Sequence, residues 1–428
     1  MLMKNQAMET SSVLTKTETA TSNLSAELVS IEIFNKFDDL KAFEPQWDQF
    51  VESVGCEIFM TYDWCRLWWK YYGGERNLQI FVFRYHETLA GIIPVFFEKL
   101  WLGPVFIRAA KIVGTDFTIP KITLPIRKEF LQQVAQKFLE KLVTDYNWDV
   151  LHIGPIAGIF RDFDKLMETC QLSTGQSHRI RKTNETVQTY FMLAGSWDEQ
   201  IASLSKKQQR ILKQKYRVLH EITGDDTSIV SRFAASHNCR ELFDRFAEMH
   251  QIHWQKQGKS GHFGDWPNSM QFHGEMAQEQ LKHNRLRLLE VNAGKYNLGY
   301  KYGYRFGDNY MEFLDARSQI EELARASVGR IIFCEQMKKA VQERAKYIDS
   351  LGTQYEHKLL MGGKMFPVNN IYIYSRKPLS VIRVGIFRKL SWLLHICYYK
   401  IWFCRIAPKL PFKGLHLWKT WIRSHIFA

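Results

Sequence analysis

The sequence predicts an α+β fold, and three observations lead there. Hydrophobic positions recur with a helical period in some segments and alternate in others, and the two kinds of segment interleave along the chain. At 428 residues the chain is long enough for two domains, each with its own core. The stretch from Leu298 to Lys358 reads, in order, as strand, strand, glycine turn, helix, strand and a short polar motif.

The first half opens with Glu27 to Phe34, which alternates like a strand. Asp38 to Val54 has helical spacing, with Asp38 placed to cap it and Pro45 placed to kink or divide it. Thr61 to Tyr72 is a short helix rich in aromatic residues. Leu78 to Tyr85 and Leu89 to Phe97 form a hairpin-like pair, and Gly103 to Gly114 is apolar and extended. Lys128 to Tyr146 is amphipathic at a helical period, and Asp149 to Ile153 reads as a buried strand.

The second half repeats this theme. Val187 to Leu193 is a strand, Asp198 to His220 a long basic helix, and Ile229 to Phe233 a short strand. Arg240 to Lys256 and Asn268 to His283 are helices, and Leu286 to Val291 begins a sheet. Tyr300 to Arg305 and Tyr310 to Leu314 pair around the turn Gly307-Asp308-Asn309. Ala326 to Arg330 opens a helix that runs to about Arg344, and Tyr347 to Leu351 follows as a buried strand. The divisions expected are a disordered leader at 1–27, domains at 28–180 and 181–375, and a tail at 376–428.

Charge is distributed unevenly. The net charge is +14, and the segment from His357 to Ala428 holds 13 Lys and Arg with no Asp or Glu, so the remainder is nearly neutral. The chain has no helix-turn-helix, zinc-finger or RNA-recognition signature, and a nucleic-acid partner is not expected. The tail mixes Trp, Tyr and Phe with these cations. Leu390 to Ala407 is apolar but is interrupted by His395, Lys400 and Arg405, so it falls short of a membrane span. Basic residues with Trp and Tyr suit an anionic membrane surface, and the competing reading is a helix packed on the domain. The seven cysteines are scattered, odd in number and without a Cys-x-x-Cys pair, which indicates reduced thiols. The locations expected from these features are the cytoplasm and, peripherally, the inner face of the membrane.

A helix entered through a glycine turn between two strands is an anion site. Its first amides have no acceptor inside the helix, and the helix dipole adds partial positive charge. The turn here contains Ser327, Val328, Gly329 and Arg330.

These residues carry a family resemblance. The stretch resembles the acyl-CoA-binding half of GNAT-fold N-acyltransferases, and more closely the CelD/BcsL-type proteins of polysaccharide biosynthesis, which are related to FemAB-type transferases. Ser205-Lys-Lys-Gln-Gln-Arg-Ile-Leu-Lys213 is similar to that family's basic helix opening. His250-Gln-Ile-His-Trp254 with Gly258, Gly261 and Phe263 resembles its central run. Ser327-Val328-Gly329 stands where the family has Ser-Pro-Gly, so Val328 departs from it, and its Tyr-Lys ending appears here as His357-Lys358. The resemblance spans roughly residues 28–370.

The resemblance implies tandem GNAT-type domains, each a mostly antiparallel mixed sheet flanked by helices. It implies an N-acetyltransferase-like enzyme that uses acetyl-CoA or another acyl-CoA and no metal. The implied acceptor is an amine on an amino sugar or a carrier-linked intermediate. The alternatives are an aminoacyl-tRNA donor, as in FemAB-type enzymes, and a non-catalytic membrane scaffold. Arg325, Ser327, Val328, Gly329 and Arg330 would hold the cofactor's pyrophosphate. Acyl transfer to an amine needs a base, an oxyanion site and an acid for the leaving thiolate. Glu312 and Asp315 lie an odd spacing apart on one strand, so only one is expected to face the cleft, with Asp315 preferred. Asp349 is the second carboxylate, and Tyr355 or His357 would serve the thiolate. His253, Trp254, Phe263 and Lys358 would contact the acceptor. His250 and His253 are spaced to share an ion, but no third ligand follows at a zinc spacing. The charge on the helix from Ser205 has two readings, contact with an acidic group or a solvated face.

Overall fold

The computed structural model describes residues 29–116, 121–157, 163–174, 177–224, 227–256, 261–265, 268–352, 356–410 and 417–427. The expected leader at 1–27 lies outside the described residues. Twelve strands form one continuous sheet: β1 (Val29–Phe34), β2 (Asn77–Tyr85), β3 (Thr88–Leu102), β4 (Val105–Ile112), β5 (Val150–Ala157), β6 (His178–Met192), β7 (Ile229–Phe233), β8 (Leu289–Ala293), β9 (Tyr296–Phe306), β10 (Asn309–Arg317), β11 (Tyr347–Gly352) and β12 (Lys364–Ser375).

Their spatial order is β1-β2-β3-β4-β5-β12-β6-β11-β10-β9-β8-β7, a sequence that reads alike from both ends. β1 to β4 form an antiparallel meander, the helix Leu131–Asp145 crosses over, and β5 returns parallel to β4. β7 to β10 form the same meander, the helix Val328–Gln342 crosses over, and β11 returns parallel to β10. The last strand of each half is exchanged. β6 pairs with β11 and β12 pairs with β5, and the two exchanged strands lie antiparallel over twelve residue pairs, from Lys364↔Tyr190 to Ser375↔His178. The fold is therefore α+β, built from two similar units joined across one sheet. The chain crosses from one unit to the other at β6.

Several elements differ from the sequence expectation. Asp38 does not cap a helix. A 3₁₀ turn covers Asp38–Phe43, and the α-helix Glu44–Ser53 starts after it with Pro45 in its first turn, where the missing N–H costs nothing. The basic helix from Asp198 is two helices, Trp197–Ala202 and Lys206–Thr223. Ser205 accepts from the Gln208 amide and restarts the second one. β6 is far longer than the expected Val187 to Leu193. β12 and the helix Phe163–Thr174 were not anticipated at all.

A shared aromatic core locks the halves. Trp64, on the helix Tyr62–Tyr72, packs edge-on against Phe59 at 4.8 Å and against Tyr304 of β9 at 5.2 Å. Phe313 of β10 lies 6.2 Å from both Phe59 and Trp64. Polar contacts border this core: Arg285–Asp48 at 2.7 Å, His283–Asp63 at 2.9 Å and Lys70–Glu275 at 2.6 Å.

The C-terminal segment folds back on the first half. In the helix Pro378–Leu394, Ser380 and Arg383 reach Asp149 at 2.5 and 3.0 Å, and Asp149 also binds Arg108 at 2.8 Å. Arg423 reaches Glu98, and Phe427 packs on Tyr372 and Phe387. The reading of a tail packed on the domain is thus the geometry present. No helix among the described residues is long and apolar enough to cross a membrane. All seven cysteines are free thiols, five of them buried.

Buried neutral histidines make stability depend on pH. Burial lowers the pKa of His273 to about 3 and that of His152 to about 4. On acidification the unfolded chain takes up these protons near pH 6.5 while the folded chain does not, so stability falls as pH drops below about 6.5. Each histidine contributes up to about 1.4 kcal/mol per pH unit in that window. His273→Phe, which keeps an aromatic ring at an aromatic site, is expected to flatten the decline between pH 6.5 and 4.5 in urea unfolding. An unchanged slope would contradict this account.

Candidate active site at the fork between two parallel strands

β10 and β11 pair over only three residues, Asn309↔Tyr347, Tyr310↔Ile348 and Met311↔Asp349. Beyond that point they part. β10 keeps pairing with β9 as far as Arg317↔Gly299, while β11 stays on β6. Each strand thus keeps its partner on the outer side, and the amides and carbonyls that face the gap are left for solvent or a bound ligand. The corresponding fork of the first half is filled. β4 and β5 pair from Ala109↔Val150 to Lys111↔His152, and the segment Lys121 to Ile126 then enters. There Ile122 bridges to Ile156 of β5 and Ile126 bridges to Gly91 of β3. Among the described residues no such segment enters the fork of the second half.

A β-bulge shapes the open fork. Glu312 pairs with Gly303, Leu314 with Tyr302 and Asp315 with Lys301, so Phe313 is the extra residue. The bulge sends Phe313 into the aromatic core between the halves. It also changes the side-chain parity beyond it. The odd spacing of Glu312 and Asp315 was expected to put them on opposite faces, but the inserted residue brings both to Lys301. Glu312 pairs with the Lys301 ammonium, and an Asp315 oxygen lies 3.9 Å from it. Gly303 is required opposite the bulge, because a Cβ there would sit 2.0 Å from the Met311 carbonyl.

Five polar side chains, Lys301, Glu312, Asp315, Ser350 and Lys358, converge where the strands separate. Ser350 of β11 donates to Glu312 at 2.8 Å, which bridges the fork. Lys358, on the short helix Glu356–Leu360, donates to the Ser350 carbonyl at 2.5 Å. Burial lowers the Lys358 pKa and outweighs the nearby Glu312 carboxylate, with Lys301 adding to the lowering. For Asp315 burial acts upward, but Lys301, His250 and Arg317 together bring its pKa below the usual value. Its carboxylate is 55% exposed, so it is the carboxylate at the fork that an acceptor can reach.

The expected acceptor wall gathers beside Asp315. His250, on the helix Cys239–Lys256, donates through Nδ1 to the Asp315 carbonyl at 2.6 Å. Its Nε2 therefore accepts from His262 Nδ1 at 2.9 Å. Trp254 stands edge-on to His262 at 5.4 Å and to His253 at 5.9 Å, and both it and His253 are half-buried. Phe263 points inward instead, toward Phe243, Phe246 and His273.

The expected anion turn follows the C-terminal end of β10, the end at which the fork opens. Ser327 adopts left-handed backbone (φ 54°) and starts the helix Val328–Gln342, with the Arg330 amide bonded back to the Ser327 carbonyl at 2.9 Å. Arg317 lies over Gly329, 3.6 Å from where a Cβ would sit. Lys215 donates to the Arg325 carbonyl at 2.8 Å, which fixes the basic helix Lys206–Thr223 beside the turn. Arg325 is exposed, Gly329 and Arg330 half-buried, and Val328 buried. Amides at a helix start under an arginine suit a pyrophosphate.

Asp349 occupies a different place from these groups. It is fully buried and binds Lys121 at 2.6 Å, and Lys121 also meets Glu57 at 3.0 Å and Tyr190 at 2.5 Å. The node joins β11 and the exchanged β6 to the segment that fills the first half's fork. Tyr355 and the His357 side chain lie outside the described residues. Lys301 and Ser350 were not singled out from sequence. The available signal was a lysine between two buried tyrosines, Tyr300 and Tyr302, at a strand position where only a paired charge is stable.

Comparisons with known proteins meet the geometry here. Residues 206–359 match the family model described as an acetyltransferase (GNAT) domain. The match lies within the second half and takes in β7 to β11 and the helix Val328–Gln342. Among solved structures the chain is similar in fold to FemX, with a TM-score of 0.56 at 11% identity, covering 79% of this chain and 97% of that one. It is also similar to a conserved protein of unknown function from Bacteroides thetaiotaomicron, with a TM-score of 0.51 at 11% identity, covering 81% and 100%. No curated protein sequence matches the chain.

The buried node yields a prediction. Lys121→Met leaves Asp349 and Glu57 buried without their cation, and is expected to cost about 3–5 kcal/mol in denaturant unfolding. Lys121→Met combined with Asp349→Asn and Glu57→Gln should recover part of that loss. A single variant as stable as the parent would show that the node does not hold the halves together.

Proposed function

We propose that the chain is an acyl-CoA-dependent N-acyltransferase whose reaction takes place at the fork between β10 and β11. The observation that carries this reading is that this fork is open and lined by Lys301, Glu312, Asp315, Ser350 and Lys358, whereas its counterpart in the first half is filled by residues 121–126. Acetyl-CoA or another acyl-CoA supplies an activated thioester carbonyl when bound. Gly329, Arg330 and Arg317 would hold its pyrophosphate, with Ser327, Val328 and Arg325 shaping the turn.

Asp315, ionised at neutral pH, takes the proton of the attacking amine, directly or through one water. Lys358 gives a proton to the departing thiolate, since burial makes its ammonium more acidic than a free lysine. Lys301 holds Glu312, and Glu312 holds Ser350, so these three position the fork. Asp349 acts from behind, by fixing β11 against Lys121. His253 and Trp254 flank the acceptor, which the motif resemblance to CelD/BcsL-type proteins assigns to an amino sugar or a carrier-linked amine in envelope or exopolysaccharide synthesis. The enzyme works on the cytoplasmic side, at the inner membrane face.

A second reading keeps the site and changes the donor to an aminoacyl-tRNA. It is favoured by the exposed cations Lys206, Lys207, Arg210 and Lys213 on the helix fixed beside the anion turn.

The test is CoA release from acetyl-CoA with a panel of amino sugars, together with calorimetric CoA binding. The expected result is turnover that Asp315→Asn lowers about 100-fold or more in kcat with CoA affinity retained. Gly329→Asp, which sets a carboxylate against the pyrophosphate, is expected to raise KM for acyl-CoA at least about tenfold with a smaller effect on kcat. No CoA binding, combined with steeply salt-dependent tRNA binding, would select the second reading.

A further inference from the structure

A second basic site lies far along the sheet from the fork. At the free end of the exchanged strands a cavity of about 370 Å³ is lined by Arg179 and Arg181 of β6, Arg376 just after β12, and Arg388 of the helix Pro378–Leu394. Tyr374, Val381 and Gly385 complete the wall used here, and no acidic residue lines the cavity. Among the described residues none of the four arginines forms an ion pair. Arg388 Nε donates to the Phe427 carbonyl at 3.2 Å, which leaves its charge unneutralised. Four guanidiniums converging without a carboxylate repel one another, and an anion in the cavity removes that repulsion.

The helix that forms one side of this cavity identifies the kind of anion. Its outward stripe at Leu379, Ile382, Ile386 and Leu393 is exposed, with Leu379 72% and Ile382 57% accessible. Val381, Gly385, Arg388 and Trp392 form the neighbouring stripe, which runs from the cavity to an indole 57% exposed. A soluble phosphate gains nothing from such a stripe. A membrane lipid places its phosphate among the arginines and its chains against the apolar side, and Trp is favoured at that boundary. The absence of Asp and Glu from His357 to Ala428 extends the same charge preference over the whole segment.

We infer that this cavity binds the phosphate headgroup of an anionic membrane lipid, with the helix Pro378–Leu394 lying in the bilayer interface. This gives the membrane placement proposed above a specific ligand site, and it is independent of the acyl donor. The four arginines come from three places in the fold, two from β6, one just after β12 and one from the helix.

Gly385 allows a test that separates a headgroup site from general adhesion. A Cβ at Gly385 would meet nothing within 4 Å, and leucine is a better helix former than glycine, so Gly385→Leu should fold while filling the cavity mouth. The full chain is sedimented with phosphatidylcholine vesicles and with vesicles that also contain phosphatidylglycerol. Binding is expected only to the anionic vesicles, and both Arg179→Ala/Arg376→Ala and Gly385→Leu should weaken it about tenfold or more, with circular dichroism and CoA affinity unchanged. General hydrophobic adhesion predicts that Gly385→Leu binds as tightly or more tightly, and that outcome overturns the proposal. Equal binding to both vesicle types overturns it as well. Displacement from vesicles by millimolar inorganic phosphate would reassign the cavity to a soluble phosphate, and binding of tRNA in place of vesicles would reassign it to nucleic acid.

Discussion

The exchange of the last strand of each half is the constraint on which the rest depends. Every buried amide and carbonyl needs a partner, and a strand that leaves its neighbour must find another. β11 leaves β10 after three residue pairs, and β6, from the other half, keeps it in the sheet by its far edge. The first half has the same exchange, with β12 on β5, and its fork is nonetheless filled by residues 121–126. One repeated topology thus yields an open fork and a filled one, and the filling segment is itself useful, since it delivers Lys121 to Asp349 at the back of the open one.

The bulge at Phe313 is the second device, and it couples packing to chemistry. Phe313 is held in the aromatic core between the halves, against Phe59 and Trp64. That anchoring keeps the extra residue in β10, and the extra residue turns Asp315 toward Lys301. A mutation in the inter-half core would therefore reach the carboxylates without touching them. The His250–Asp315 contact adds a second restraint at the end of the strand, from the helix that also carries His253 and Trp254.

Much of the candidate site was legible in local sequence. The glycine turn at 327–330 and the carboxylates on the preceding strand signal themselves through spacing and residue type. So does the His-Trp run at 250–254, because each depends on a few neighbouring residues. The choice between Glu312 and Asp315 was not legible. Parity assumes a regular strand, and the bulge that breaks it is imposed by aromatic rings more than 200 positions away in the chain. Asp349 read as a catalytic carboxylate for the same reason, since its cation, Lys121, comes from the other half.

Sequence alone determined the alternation of helices and strands, the turn that opens the helix after β10 and the acid-free basic tail. These follow from hydrophobic period, residue types at the turn and charge composition, all of which act over short distances. Tertiary structure decided the partners of β6 and β12, which of two similar forks stays open, and the meeting of Arg179 and Arg181 with Arg376 and Arg388 around one cavity. Those outcomes depend on pairing between segments about 200 residues apart. A strand's own side chains set its inward face but carry no record of which distant strand will satisfy its edge.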